Sequence, residues 1–249
     1  MKQVYFEESF RGQTIRGMQY QPDDDRPHPC VMLLHGFTGN RIECGMMFVQ
    51  LARTLAEAGY MTVTFDFRFS GESDGSFENM LVSEELADAE HIAKYLRNLD
   101  CVDGERFGVI GFSLGGFVSA CLMSKIDFAK TLVMISATTY DNMKRKWNDG
   151  ILRKAAGPLR LNPEFYPDLE KLKSIEWVAC NPRPTRLIHG TADEAVPAEG
   201  NSDRYEKSMK DAGVPVERIL IDGATHGWDE IEHREMLLKL VKEHIKATL

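Results

Sequence analysis

Apolar residues along this chain follow two alternating rhythms. Short, nearly unbroken apolar runs recur at Cys30–Leu34, Met61–Phe67, Phe107–Ile110, Lys130–Ser136, Thr185–Ile188 and Val216–Ile221. Runs of this length read as strands buried on both faces. Between them the apolar residues fall three and four apart. Met47, Phe48, Leu51, Ala52, Leu55 and Ala58 form one such stripe, which Gly59 is placed to end. Leu86, Ala89, Ile92, Ala93 and Leu96 form another within Ser83–Asn98. Further helical stretches begin at Leu114 and span Asn201–Ala212 and about Asp229–Thr248, the last burying Leu237, Leu240, Val241 and Ile245. Two more strands, Gln3–Glu7 and Thr14–Gln21, precede all of this and are joined by a turn at Arg11-Gly12. Alternation of strand and helix predicts an α/β fold, a mostly parallel central sheet flanked by helices with right-handed crossovers.

The rhythm breaks at Ala137. From Thr138 to Asn181 the chain is rich in aromatic and basic residues and is interrupted by Pro158, Pro163 and Pro167. This stretch is expected to be an insertion over one end of the sheet, with short helices near Asn142–Ala155 and Pro167–Ser174. The expected organisation is therefore one core domain made of residues 1–137 and 182–249, with a small inserted lid over 138–181.

The sharpest chemical signal lies where the Phe107–Ile110 run meets the next helix. Gly111-Phe112-Ser113-Leu114-Gly115, followed by Gly116, is a G-x-S-x-G pentapeptide between a strand and a helix. A turn this tight needs small residues beside the serine and holds the hydroxyl clear of the sheet, at the positive end of the helix. Two other strand ends carry suitable partners. Asp193 follows Thr185–Ile188, and His226 follows Val216–Ile221 in a glycine-flanked loop. Loops at the carboxyl ends of neighbouring parallel strands converge on one crevice. Serine, acid, histidine is also the chain order that accompanies such an elbow. Imidazole must take the hydroxyl proton during attack, and the carboxylate orients the ring and stabilises its cation. Among seven histidines, His35 and His189 also end strands and are expected to hold their loops. Glu194 and Asp222 compete with Asp193, although Asp222 lies only four residues before His226 and is suited to organising that same loop. Two backbone donors are needed for a tetrahedral oxyanion. The N–H of Leu114 and that of Phe37, in the His35-Gly36-Phe37 loop after the Cys30–Leu34 strand, are the candidates.

Composition narrows the class. In 249 residues, 43% are hydrophobic, enough for a sizeable core, and the formal net charge of -8 argues against a nucleic-acid partner. The short Lys144-Arg145-Lys146 run does not change that. No stretch approaches the roughly 18 apolar residues of a membrane span. The start, Met-Lys-Gln-Val-Tyr-Phe-Glu-Glu-Ser, lacks a secretion signal's apolar core, and five cysteines form no C-x-x-C pair. A cytoplasmic location is expected. With no H-e-x-x-H motif, no Cys/His cluster and no phosphate-cradling loop, no cofactor and no metal are expected.

From about Thr14 onward the chain resembles the α/β-hydrolase superfamily, on His35-Gly36-Phe37, the Ser113 elbow, Asp193 and His226. Within it, His35-Gly36-Phe37-Thr38-Gly39-Asn40 and Gly71-Glu72-Ser73-Asp74-Gly75-Ser76-Phe77-Glu78-Asn79-Met80 are similar to bacterial cinnamoyl (feruloyl) esterases. That resemblance implies a serine esterase acting through an acyl-enzyme on hydroxycinnamate or similar small aryl or acyl esters. It implies a small lid after the sixth strand, and an acidic residue early in the lid gripping the substrate's ring hydroxyl, a place that Asp141 occupies. Tyr140 and Trp147 would line the acyl pocket. A peptidase of acylaminoacyl or prolyl type, a broad carboxylesterase or monoacylglycerol lipase, and a non-catalytic ligand receptor stay open as alternatives. The expected partner is a small-molecule ester, and a homodimer is left open.

Overall fold

A computed structural model describes all of residues 1–249. The first two strands, β1 (Lys2–Phe10) and β2 (Gln13–Gln21), form a hairpin closed by Arg11-Gly12. The remaining strands are β3 (His28–Leu34), β4 (Met61–Phe65), β5 (Val102–Phe112), β6 (Ala129–Ile135), β7 (Thr185–Gly190) and β8 (Val216–Ile221). They make one eight-stranded sheet in the order β1-β2-β4-β3-β5-β6-β7-β8, antiparallel at β1/β2 and β2/β4 and parallel elsewhere. Helices α1 (Met47–Glu57), α2 (Val82–Arg97), α3 (Leu114–Leu122), α8 (Ser202–Asp211) and α9 (Ile231–Thr248) flank it. Between β6 and β7 run four short helices: α4 (Tyr140–Asn148), α5 (Ile151–Ala155), α6 (Phe165–Leu169) and α7 (Ser174–Ala179).

The unbroken apolar runs have a direct structural cause. Alternate residues of β3 point to opposite faces: Val31 and Leu33 pack with α1 and α9, and Met32 and Leu34 pack with α2 and α3. Both faces are covered, which favours apolar residues at successive positions of these strands. β4 ends at Phe65, two residues short of the expected Phe67, because Asp66 turns its buried carboxylate to the Arg41 N–H and guanidinium and to the Glu72 N–H. β5 begins at Val102, earlier than the apolar run shows, and reaches Phe107 across a register shift against β3 between Pro29 and Cys30.

The segment between β6 and β7 shares the main core. Met143, Leu152, Phe165, Leu169 and Val178 join the same apolar cluster as α2 and α3. Short helices do occupy Asn142–Ala155, as two broken at Asp149-Gly150, but Pro167–Ser174 is not one helix: α6 starts ahead of Pro167, which sits in its first turn where a missing N–H is harmless, and ends at Leu169, and α7 begins at Ser174. Asp168 of α6 anchors the segment by accepting from the Ser83 N–H (2.8 Å) and hydroxyl (2.6 Å) at the start of α2.

Glu85, 2% exposed, lies beside that anchor, and its Oε2 has no protein partner. Burial, with the charges of Asp88 and Asp168 behind it, holds this carboxyl well above the usual range. A carboxyl whose folded pKa is raised carries no penalty below its unfolded pKa, and a growing one as pH rises above it. Glu85→Gln should therefore raise Tm, and by more at pH 8 than near pH 5, in paired melting curves.

Candidate active site

The end of β5 turns into α3 through Ser113, whose backbone adopts φ 54°, ψ -115°. A non-glycine residue reaches such a conformation only when its surroundings over-determine it. Here the Ser113 N–H donates to Ile135 O at 2.9 Å, while Ser113 O accepts from Gly116 (3.1 Å) and from Thr138 (3.2 Å). The turn also requires glycine at 115, since a Cβ there would stand inside the Leu34 carbonyl oxygen. The strained serine is thus clamped between the ends of β3 and β6.

His226 arrives from the loop after β8. Its Nε2 lies 3.0 Å from Ser113 Oγ, and its Nδ1 lies 2.7 Å from Asp193 Oδ2. An ionised carboxylate only accepts, so the proton is on Nδ1 and Nε2 is free to receive the serine proton. Asp193 is fully buried, and burial alone would raise its pKa. Hydrogen bonds from His189 and His226, the His226 charge and the Val196 N–H (2.7 Å) outweigh this and hold the carboxyl below its usual range. His189 Nε2 donates to Val196 O at 2.6 Å and stands 3.3 Å from Asp193 Oδ2, so it braces the acid's loop, as its strand-end position suggested. Asp222 accepts from the Thr191 hydroxyl and ties the β7 and β8 loops together.

The loop after β3 faces Ser113 from the other side. Gly36 packs so closely that a Cβ there would lie 3.1 Å from Ser113 Cβ. The Phe67 N–H donates to His35 Nε2 (3.1 Å), which fixes the His35 proton on Nδ1, and Nδ1–H donates to Gly36 O (2.9 Å). Gly36 O also accepts from the Gly39 N–H at 3.0 Å. All peptides are trans, so a carbonyl gripped on one side turns the Phe37 N–H to the other. That N–H donates to no protein group, and the Leu114 N–H, in the first turn of α3, has no intrahelical acceptor. These are the two donors singled out in the sequence.

A cavity of about 480 Å³ opens here, lined by Gly36–Asn40, Glu43, Cys44, Phe112, Ser113, His226 and Gly227. Asp141, Tyr140 and Trp147 do not line it. Asp141 is on the outer face of α4 and pairs with Arg204. The Tyr140 hydroxyl bonds to the Tyr166 hydroxyl (2.6 Å) and donates to Glu170 Oε1 (3.0 Å). Trp147 stacks on Phe165 (5.9 Å between centroids), and Phe165 in turn packs on Phe37 (5.7 Å), so it meets the site at one remove. Phe77 packs on the Phe37 ring as Phe165 does, at 5.7 Å between centroids. Phe77 belongs to the Gly71–Met80 stretch, which docks on β2 through Asp74 and Ser73. Sequence reasoning also missed Glu43 and Arg234. Neither belongs to a motif: Glu43 accepts from the Gly36 and Cys44 N–H groups, and Arg234 donates to carbonyls of both the Cys44-Gly45 and the Gly227-Trp228 stretches.

Residues 29–175 match the α/β-hydrolase fold family. The chain belongs to the α/β-hydrolase fold family. An uncharacterised 31.7 kDa protein of the traX–finO intergenic region of Escherichia coli is 32% identical over 163 residues, 61% of this chain and 56% of that relative, so the match spans little over half the relative's length. Est1E from Butyrivibrio proteoclasticus, solved with ferulic acid bound, superposes with a TM-score of 0.83 over 98% of both chains at 24% identity. The Pyrococcus horikoshii acylaminoacyl peptidase superposes with a TM-score of 0.80 over 100% of this chain and 42% of its own, at 20% identity. At these identities both structures establish the fold alone. No helix of this α/β-hydrolase is long and apolar enough to cross a membrane.

Asp193→Asn leaves the bulk of the side chain in place but removes the acceptor that holds the His226 tautomer. Phosphonylation of Ser113 by a fluorophosphonate probe should slow by about 10³–10⁴-fold with Tm little changed. An unaltered labelling rate would show that His226 does not depend on this acid.

Proposed function

We propose that this protein is a serine-dependent carboxylic ester hydrolase working through an acyl-enzyme on Ser113. The observation that carries this reading is the unbroken chain from Ser113 Oγ to His226 (3.0 Å) to buried Asp193 (2.7 Å), beside two backbone N–H groups without acceptors. Ser113 Oγ attacks the ester carbonyl carbon as its proton passes to His226 Nε2. The carbonyl oxygen becomes an oxyanion held by the Phe37 and Leu114 N–H groups. The intermediate collapses as His226 returns the proton to the departing alcohol, leaving the acyl group on Ser113. Water repeats the sequence, giving its proton to His226, and the free acid leaves as Ser113 recovers its proton.

For the substrate, we propose small aryl or acyl esters of the hydroxycinnamate kind. Two things support this: the aromatic wall of Phe37 backed by Phe77 and Phe165, and the likeness to the structure of Est1E with ferulic acid. Amide hydrolysis is the second reading, favoured by the likeness to an acylaminoacyl peptidase. Matched ester and amide substrates separate the two.

Ser113→Ala should lower hydrolysis of the preferred ester by roughly four to six orders of magnitude with an unchanged melting temperature. In a panel of methyl ferulate, short and long p-nitrophenyl esters and a monoacylglycerol, kcat/KM should be highest for the ferulate. Undiminished hydrolysis by the alanine variant would end the mechanism, and a long-chain optimum would end the substrate assignment while leaving the mechanism standing.

A further inference from the structure

The cavity beside Ser113 contains a carboxylate that the reaction steps do not use. Glu43 Oε1 accepts from the Gly36 N–H at 2.6 Å, and its Oε2 accepts from the Cys44 N–H at 3.2 Å. The Gly36 N–H has no other acceptor. Gly36 is therefore held at both ends, its N–H by Glu43 and its C=O by His35 Nδ1–H and the Gly39 N–H. With both ends fixed, the next peptide cannot rotate, and the Phe37 N–H stays directed away from the gripped carbonyl.

The same short stretch is tied to the other half of the site. Arg234, in the first turns of α9, is 9% exposed. It donates to Cys44 O (3.3 Å) and Gly45 O (3.1 Å) on one side, and to Gly227 O (2.9 Å) and Trp228 O (3.2 Å), next to His226, on the other. Its remaining bond is to Gln50 Oε1 (2.9 Å), and no carboxylate partners it. A guanidinium spent on four backbone carbonyls fixes the position of two loops relative to each other. Glu43 (φ 59°) and Met46 (φ 60°) both take left-handed backbone conformations, strain that persists only where surrounding contacts over-determine it.

We infer that Glu43 is a positioning residue of the oxyanion hole: it locks the Gly36–Phe37 peptide through the Gly36 N–H, and Arg234 couples that lock to the loop carrying His226. This rests on the serine-hydrolase reading above and extends it, because the hole is held in place by a carboxylate of its own. Glu43 makes no hydrogen bond to Ser113 or His226; both its oxygens accept from backbone N–H groups. Its effect is felt only when an oxyanion forms, so it bears on kcat and on tetrahedral adducts, with KM spared.

The test compares Glu43→Ala, Glu43→Met and Glu43→Gln. Methionine keeps the volume without an acceptor and serves if alanine destabilises the fold. Glutamine keeps one oxygen to accept from Gly36. Four quantities are read: kcat and KM on the best ester, the Ki of a phenylboronic acid, and the rate of Ser113 phosphonylation. Alanine or methionine should lower kcat by about 10–100-fold, somewhat less than removal of an oxyanion donor outright, with KM within about three-fold. Ki should rise and the phosphonylation rate fall by similar factors, and glutamine should recover most of each loss. Unchanged kcat and Ki in the folded alanine or methionine variant, or a glutamine variant no better than these, would overturn the inference. A wild-type protein that neither labels at Ser113 nor binds the boronic acid would instead overturn the hydrolase reading beneath it.

Discussion

The backbone of Ser113 is the constraint on which the architecture turns. A φ of 54° at a non-glycine residue is costly, and it persists because β3, β5 and β6 end at the same level around it. The Ser113 N–H is taken by Ile135 at the end of β6, its carbonyl by Thr138 just beyond, and the following helix can start only because Gly115 lies against the Leu34 carbonyl at the end of β3. Long apolar strands covered on both faces supply the rigidity that keeps these ends in register. The reactive hydroxyl is one consequence. Another is that the loops after β3, β7 and β8 are brought to the same spot, each with one component of the chemistry.

Around that point, division of labour among histidines follows from hydrogen-bond arithmetic. His35 receives a backbone N–H on one nitrogen and donates to a carbonyl from the other, leaving nothing to exchange, so it is a brace. His189 donates from Nε2 to a carbonyl and braces the acid. Only His226 has a carboxylate on one nitrogen and a hydroxyl on the other, the pairing a proton shuttle needs.

Much of this was legible in the sequence because it is local. The Ser113 elbow, the strand-end positions of Asp193 and His226, and the His35-Gly36-Phe37 loop are short motifs with fixed spacing, and apolar periodicity placed the main helices to within a residue or two. What escaped depends on tertiary partners. The end of β4 is decided by Asp66 bonding to Arg41, 25 residues away; the break between α4 and α5, by contrast, is a local turn at Asp149-Gly150, with Gly150 at φ 68°. Family resemblance points to Asp141, and position in the inserted segment to Tyr140 and Trp147, as pocket residues; side-chain direction on α4 instead sends Asp141 outward to Arg204. Glu43 was invisible for the same reason: a lone carboxylate seven residues past Gly36 has no meaning until the chain folds back.

In the proposed mechanism a hydroxyl, an imidazole, a carboxylate and two amide hydrogens act as one unit. A crystal structure of the protein after reaction with an organophosphonate tests it most directly. The account predicts phosphorus bonded to Ser113 Oγ, with the phosphoryl oxygen about 3 Å from both the Phe37 and Leu114 nitrogens and His226 still paired with Asp193. An adduct on another residue, or a phosphoryl oxygen turned away from those two nitrogens, would contradict it.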